Sequence, residues 1–136
     1  KLITIPVEKV EEWMCKYSTW KQFVFLTYQR RFEDLLNDYF NSDLPGKLGL
    51  PSVTWCAEQL HLSPNYFGDL IKKETGLTAK DYIQNKTIDV AKNRVFESDK
   101  TINEIAFEMG FKYPQHFTRL FKQRVGQTPN EFRSLN

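Results

Sequence analysis

A short stretch near the end of the chain carries side chains able to recognise nucleic-acid bases. They recur at intervals of one, three and three residues: Gln115, His116, Arg119 and Lys122. On a helix this spacing turns all four toward one side. A glutamine can pair bidentately with adenine and an arginine with guanine, and a lysine can neutralise a phosphate. The chemistry that these residues predict is reading of the major groove of a DNA duplex, with no covalent step.

The unit that carries these residues occurs twice. Residues 64–82, PNYFGDLIKKETGLTAKDY, return fifty positions later as PQHFTRLFKQRVGQTPNEF at 114–132. A preceding helix is repeated as well, CAEQLHL against IAFEMGF, with an offset of 49. The slip of one residue falls in a turn, where Gly110 supplies the positive φ that the later copy needs. Each copy has the form of a helix-turn-helix, with a small Ala57 or Ala106 where the two helices cross.

Apolar residues assign the buried side of the second helix in each copy. With Phe67, Leu70 and Ile71 turned inward, the first copy presents a corresponding outward set: Asn65, Gly68, Asp69 and Lys72. Between the copies, residues 79–96 contain no Gly or Pro, which predicts one continuous helix about 27 Å long. With the offsets of the two outward-facing helices added, this bridge can hold them about one duplex turn, roughly 34 Å, apart. One chain could then contact two successive major grooves.

Helix signals recur along the chain, so the predicted fold class is all-α. Helices of the second half open on a hydroxyl residue that can cap them, followed by proline or an acidic residue: Ser63-Pro64, Thr78-x-x-Asp81, Thr101-x-x-Glu104 and Thr128-Pro129-x-Glu131. In residues 7–40 apolar side chains recur at intervals of three and four residues, and no segment shows the alternation of apolar and polar residues that is typical of a strand. Gly76 and Gly126 follow helices and fit C-terminal caps.

A change in composition indicates the domain boundaries. Residues 41–51, NSDLPGKLGLP, concentrate Gly, Pro, Asn, Ser and Asp. They predict a linker between an N-terminal helical segment at 1–40 and a second domain at 52–136. Within that domain we expect four parts in order: a first helix-turn-helix at 52–76, a linker helix at 79–96, a second helix-turn-helix at 101–126 and a C-terminal helix at 129–135.

Composition narrows the class of protein. The net charge is +2, with seven Lys and Arg against seven Asp and Glu up to Leu50 and twelve against ten beyond it, so the positive excess lies in the repeated region. Cys15 and Cys56 lie far apart without a CxxC spacing and predict structural thiols in a reducing, cytoplasmic compartment. His61 and His116 have no regularly spaced ligand partners, so neither a metal nor another cofactor is expected. No apolar run approaches the ~18 residues that a membrane span needs.

From about Val53 to Phe132 the sequence resembles the DNA-binding domain of the AraC/XylS family of bacterial transcription regulators. The motifs INEIAFEMGF, HFTRLFK and GQTPNEFR occur in that family's order and spacing. The resemblance implies an all-helical fold in which a long helix joins two helix-turn-helix units. It also implies binding to asymmetric promoter sites in double-stranded DNA and, usually, activation of transcription through RNA polymerase.

Carried over by position, the base contacts of the family fall on six residues: Asn65, Gly68, Asp69, Gln115, His116 and Arg119. We expect phosphate contacts from five others: Ser63, Lys72, Lys73, Lys122 and Arg124. For Lys72 and Lys73 a plain solvated face is the alternative. The chain departs from the family at Gly68 and Asp69, where a small polar residue followed by arginine is common. Because a carboxylate suits a phosphate-lined groove poorly, Asp69 either accepts a hydrogen bond from a cytosine amino group or excludes other sequences by repulsion.

The N-terminal stretch has a resemblance of its own. Residues 5–37, IPVEKVEEWMCKYSTWKQFVFLTYQRRFEDLLN, are similar to the end of the effector domain and the start of the dimerisation helix of Crp/Fnr-type regulators. That similarity implies a helix pair at a homodimer interface. The alternative is a helical segment that packs on its own DNA-binding domain. Because the chain begins at Lys1 without Met, we expect a soluble fragment with a sensing domain before it.

Other functions fit the sequence less well. Seven aromatic residues are expected in the core rather than on a base-stacking platform: Tyr66, Tyr82, Phe107, Phe111, Phe117, Phe121 and Phe132. His61, in a turn, is expected to be solvated. His116 lacks a nucleophile at catalytic spacing, and there is no phosphate loop or acid/base pair, so we do not expect an enzyme. The main alternative is a helical module for protein–protein interaction or oligomerisation that does not bind DNA.

Overall fold

The structure of the chain, a computed structural model, describes the backbone from Val7 to Leu135 and the side chains of Thr19 and of residues 22–135. Within this part of the chain all regular structure is helical: α1 (Val7–Asn41), α2 (Leu44–Leu48), α3 (Val53–Gln59), α4 (Pro64–Thr75), α5 (Ala79–Glu97), α6 (Ile102–Glu108), α7 (Pro114–Val125) and α8 (Pro129–Leu135). The predicted all-α fold is confirmed. Two helix-turn-helix units, α3–α4 and α6–α7, are joined by the long helix α5 and preceded by α1.

Hydroxyl caps open the helices where the sequence predicted them. The Ser63 Oγ accepts a hydrogen bond from the Tyr66 backbone N–H at 3.1 Å. Three threonines make the same capping bond, in which the side-chain oxygen accepts from the backbone N–H three residues later at 3.1–3.2 Å: Thr78, Thr101 and Thr128. Each cap satisfies a donor that the helix leaves open and contributes about 1 kcal/mol. At the other end, Gly76 and Gly126 close α4 and α7 with φ of 75° and 90°.

The turn inside each unit is built in the same way from different residues. In the first, the Leu62 N–H donates to the Ala57 carbonyl at 2.9 Å, and in the second the Phe111 N–H donates to the Ala106 carbonyl at 3.0 Å. Both alanines are 0% exposed, as their position at the helix crossing predicts. The residue before the closing N–H has positive φ in both turns, 59° at His61 and 94° at Gly110. His61 is exposed, as expected.

The second half of α1 belongs to the same hydrophobic core as the two units. The buried Phe32 ring lies 5.8 Å from the Phe67 ring of α4 and 5.3 Å from the Tyr82 ring of α5, centroid to centroid. Leu36 and Tyr39 are buried with it. Helix α5 contacts α1, α8 and all four helices of the two units, so it is the common support of the molecule.

The connection predicted as a linker at 41–51 contains the single-turn helix α2 and is held against the second unit. The Tyr39 hydroxyl donates to the Gly49 carbonyl at 2.6 Å, and α2 contacts α6. Burial raises the pKa of this hydroxyl, so it stays a neutral donor. The backbone of Gly49 lies against Gly110, where an added Cβ would come within 2.7 Å of the Gly49 carbonyl carbon and oxygen. This segment therefore joins α1 to the turn of the second unit.

Two of the seven aromatic residues expected in the core are exposed, and for them the prediction was wrong. Tyr66 is 49% exposed and Phe107 is 55% exposed, whereas the other five are buried or partly buried in the core. Tyr66 precedes the buried Phe67 by one residue, which turns it about 100° around the helix and away from the buried stripe. Phe107 follows the buried Ala106 in the same way.

Residues 7–37 of the stretch that resembles Crp/Fnr-type regulators lie within α1, which is one unbroken helix. The homodimer that this resemblance implies stays a prediction, and so does the role of Cys15, whose side chain lies outside the described residues. From Val7 to Leu135, no helix combines the length and the apolar character required to cross a bilayer.

Candidate nucleic-acid interface

Helix α7 separates its apolar residues from its polar ones. Phe117 and Phe121 are 0% exposed, and Phe117 packs edge-on against Phe111 with ring centroids 5.2 Å apart. The polar face of α7, which consists of Gln115, His116, Arg119 and Lys122, is exposed throughout. These side chains carry hydrogen-bond donors and acceptors of the kinds that recognition of base edges requires.

Helix α4 repeats the arrangement with different polar groups. Its buried residues are Phe67 and Ile71, and its polar face consists of Asn65, Gly68, Asp69 and Lys72. Asn65, Asp69 and Lys72 are exposed, as is the neighbouring Lys73. Gly68 is half-buried, and a Cβ added to it would meet no atom within 4 Å, so this face has a shallow gap where α7 carries Thr118.

The two helices differ in charge. Helix α4 contains two lysines, one aspartate and one glutamate, a formal charge of zero. Helix α7 contains two arginines and one lysine and no acidic residue, a formal charge of +3 with His116 neutral. Since phosphate neutralisation supplies most of the non-specific affinity for DNA, α7 has the stronger electrostatic attraction for a duplex.

Three of the residues predicted to contact phosphate also have partners within the chain. The Ser63 Oγ accepts the capping bond described above, and the Lys72 Nζ donates to the Gly76 carbonyl at 3.0 Å. The Arg124 guanidinium donates to Asp81 at 3.0 Å and to Gln84 at 2.7 Å, both on α5. The hydrogen bond from Arg124 is the main reason why the pKa of the Asp81 carboxyl is lowered. Arg124 therefore links α7 to the connecting helix, and its contact with phosphate stays a prediction.

Two exposed tyrosines adjoin the polar faces and were not predicted as site residues. In the fifty-residue register Tyr66 occupies the place of His116, and Tyr113 occupies the place of Ser63. Tyr66 is 49% exposed and Tyr113 is 50% exposed. The register was itself the signal that could have identified them, because a counterpart of a site residue is a candidate site residue.

The described residues offer little of what a nucleophile or a metal site would require. Cys56, the cysteine whose side chain the structure describes, is buried, and desolvation raises the pKa of its thiol to about 12, so it is a poor nucleophile. Residues 22–135 bring together no group of three His, Cys, Asp or Glu side chains suited to a metal ion. A concavity of about 470 Å³ beside α7 is bordered by Leu50, Gln84, His116 and Arg119, so the α2–α3 connection reaches the edge of the polar face.

Comparison with known proteins gives a consistent result. A family model described as a helix-turn-helix domain matches residues 56–134. The bifunctional transcriptional activator/DNA repair enzyme AdaA of Bacillus subtilis (strain 168) is 34% identical over 103 residues, 76% of this chain and 47% of that protein. The C-terminal domain of AraT, a response regulator from Geobacillus stearothermophilus, superposes with a TM-score of 0.64 at 24% identity, covering 80% of this chain and 85% of that one.

The DNA-binding domain of the global transcriptional factor AdpA, solved in complex with a target DNA, has a TM-score of 0.57 at 21% identity and covers 64% of this chain and 78% of that one. At these sequence identities the two structural matches show a similar fold and nothing more. The chain spans 47% of the length of AdaA and 10% of another Bacillus subtilis regulator, YtdP. With more than half of its residues matched by the family model, the chain belongs to the AraC-type family of helix-turn-helix transcription regulators.

Proposed function

We propose that residues 52–135 bind double-stranded DNA sequence-specifically for a transcription regulator, with α4 and α7 in successive major grooves. One observation carries the proposal: each unit buries the apolar side of its second helix and exposes the polar side, while one unbroken helix bridges the units. The 19 residues of α5 extend about 28 Å, close to one duplex turn once the offsets of α4 and α7 are added.

The second unit supplies the firmer base recognition in this proposal. Arg119 pairs with guanine and Gln115 with adenine, while His116 donates to or accepts from a neighbouring base edge. In the first unit Asn65 reads a base, and the gap at Gly68 lets α4 approach the groove closely. Phosphate contacts come from five residues on both units: Ser63, Lys72, Lys73, Lys122 and Arg124.

Asp69 has two candidate roles. It is exposed and has no ion-pair or hydrogen-bond partner among the described side chains, so its carboxylate is open to a ligand. It either accepts a hydrogen bond from a cytosine amino group or repels sequences that would place a phosphate or carbonyl against it. Asp69→Ala separates the two: the first role predicts weaker binding to the selected sequence, whereas the second predicts unchanged binding to that sequence and tighter binding to others.

A homodimer through α1 and contact with RNA polymerase complete the proposed function. AdaA is named as a transcriptional activator, which favours an activating role for this chain. Phe23 and Leu26 are both 60% exposed, and they lie on α1 outside the buried stripe that contains Phe32 and Leu36. We expect Leu26→Glu to lower the sedimentation coefficient of a dimer to that of a monomer, with helicity retained by circular dichroism. A coefficient equal to that of the unaltered chain would exclude this face from a dimer.

The central test is binding to duplex DNA over a range of salt concentrations, followed by selection of bound duplexes from a random pool. We expect log affinity to fall steeply and linearly with log salt. We also expect the selected pool to contain two half-sites about one helical turn apart. Retention that is insensitive to salt, with no enriched sequence, would instead support the alternative function as a protein-interaction module. Absence of catalysis and a cytoplasmic location stay predictions.

A further inference from the structure

Tyr113 is an exposed aromatic residue at the edge of the polar face of α7. It directly precedes Pro114, the first residue of the helix, and it is 50% exposed. Its ring lies 5.4 Å from the His116 ring, centroid to centroid, at an interplanar angle of 70°. The Lys112 ammonium lies 5.5 Å from the centroid of the Tyr113 ring. Two consecutive contacts thus connect a cation, a tyrosine and the histidine of the polar face.

Neither helix capping nor core packing explains a tyrosine at this position. In the first unit the matching residue is Ser63, whose side chain caps α4. Tyr113 makes no capping hydrogen bond with its side chain, and only its backbone carbonyl accepts from the His116 N–H, at 3.0 Å. Half of the residue faces solvent, and it does not belong to the hydrophobic core. A residue that gives up a favourable local interaction without a packing gain indicates a functional role.

The edge-to-face contact has a direct consequence for His116. An exposed histidine on a helix samples several side-chain orientations, and only some of them present a ring nitrogen to a base edge. An aromatic neighbour in this geometry favours one orientation, by about two- to tenfold on the usual strength of such pairs. Lys112 supports the arrangement, because a cation near the tyrosine ring is attracted by it.

We propose that Tyr113 is a positioning residue that sets base specificity by holding the His116 ring in one orientation. The proposal rests on the proposed function, since it requires α7 to lie in the major groove. The first unit has no such pair, because Ser63 and Tyr66 stand at the two positions and Ser63 has no ring. The ring of Tyr113, rather than its hydroxyl, carries the effect.

The test compares four variants of the chain: Tyr113→Phe, Tyr113→Ser, His116→Ala and the double variant Tyr113→Ser/His116→Ala. Serine is the residue that caps α4, so Tyr113→Ser keeps a residue suited to starting a helix. Base preference is measured by selection from a random duplex pool. Without DNA, the chemical shifts of the His116 ring protons report whether an aromatic ring lies beside them.

We expect His116→Ala to abolish preference at one base pair and Tyr113→Ser to reduce it there about two- to tenfold. Preference at the base pair read by Arg119 stays unchanged in both. Tyr113→Phe keeps the wild-type preference and the shifted His116 protons, Tyr113→Ser loses the shift, and the double variant matches His116→Ala. Two results would overturn the proposal: wild-type preference in Tyr113→Ser, or no base preference that depends on His116. In either case, continued salt-dependent binding with a preference that depends on Arg119 would leave the proposed function standing, whereas its absence would remove both.

Discussion

The two helix-turn-helix units share a framework and differ on the surface that each exposes. Residues that build the unit are the same in both copies: Pro64 and Pro114, Phe67 and Phe117, Gly76 and Gly126, Thr78 and Thr128. Most residues that face outward have diverged, since Asp69 stands against Arg119 and Tyr66 against His116, whereas Lys72 and Lys122 are the same. Packing and capping constrain the first set, while the second set meets only solvent or a ligand. A site built in this way is asymmetric, and α7 holds most of its positive charge.

The two turns also differ in sequence, with His61 in the first and Gly110 in the second, and the reason is structural. His61 adopts positive φ in the first unit, where its side chain is exposed. Histidine is one of the non-glycine residues that occupy this region more often than most. Gly110 in the second unit lies against the backbone of Gly49, so a side chain there would meet steric conflict as well as backbone strain. The second unit is thus tied to α1 through the 41–51 connection, which has no counterpart on the first turn.

The largest expected effect is on the free energy of unfolding and comes from substituting the positive-φ residues of the two turns. We expect Gly110→Ala to lower the free energy of unfolding by about 2–4 kcal/mol, from left-handed backbone strain and from the clash with Gly49. His61→Ala, the matched change in the first unit, should cost less than about 1 kcal/mol. Urea unfolding followed by circular dichroism measures both. Equal losses would mean that the contact with Gly49 adds no constraint.

The second prediction concerns the most divergent pair on the polar faces. We expect Arg119→Ala to weaken binding to a selected duplex by about 1–3 kcal/mol and to relax preference at one base pair, because a bidentate pair with guanine is lost. Asp69→Ala is the matched change on α4. Fluorescence anisotropy with selected and random duplexes measures both variants.

Each outcome for this pair is informative. If Arg119→Ala lost equal affinity on selected and random duplexes, Arg119 would be a phosphate contact and not a reader of bases. If Asp69→Ala left base preference unchanged at every half-site position, cytosine recognition by Asp69 would be ruled out.

A smaller effect is expected from the lysines at equivalent positions. Lys122→Ala should weaken binding to all sequences alike and reduce the salt slope by about one, since it removes one phosphate contact. Lys72→Ala should reduce the slope less, because the Lys72 ammonium already donates to the Gly76 carbonyl. Titrations at several salt concentrations measure the slopes. A larger change for Lys72 than for Lys122 would reverse the proposed order of the two units.

The smallest effect concerns the link between the second unit and α5. The hydrogen bond from Arg124 keeps the pKa of the Asp81 carboxyl below its usual range, and Arg124→Ala should raise it toward the ordinary value. Because the folded-state pKa is lowered, this interaction stabilises the fold above the ordinary carboxyl pKa. Its contribution is lost as the pH falls through the folded-state value. Carboxyl chemical shifts recorded against pH measure the change, and an unchanged Asp81 titration in Arg124→Ala would contradict it.

Much of the architecture was predictable because its signals are local or repeated. Helix starts depend on a hydroxyl and the backbone N–H three residues later, and the observed caps at Ser63, Thr78, Thr101 and Thr128 follow that rule. The repeat supplied the register of the two units and the apolar sides of α4 and α7. The exposure of the polar faces was predictable for the same reason.

The features that the sequence did not predict depend on which helices pack against each other. Helical periodicity shows that a face is apolar but not what covers it, so it predicts Tyr66 and Phe107 in the core although about half of each is exposed.

The sequence by itself determined the all-α class, the two repeated units and the bridge between them, because caps, turns and periodicity act over a few residues. Only the tertiary structure decided that the second half of α1 shares their core, that Gly49 rests on Gly110, that Arg124 bonds to α5 and that Tyr113 packs on His116. These contacts join residues whose separation along the chain, or whose side-chain direction, carries no local signal. The first three form only when the helices pack together, and the last depends on the side-chain orientations at the start of α7.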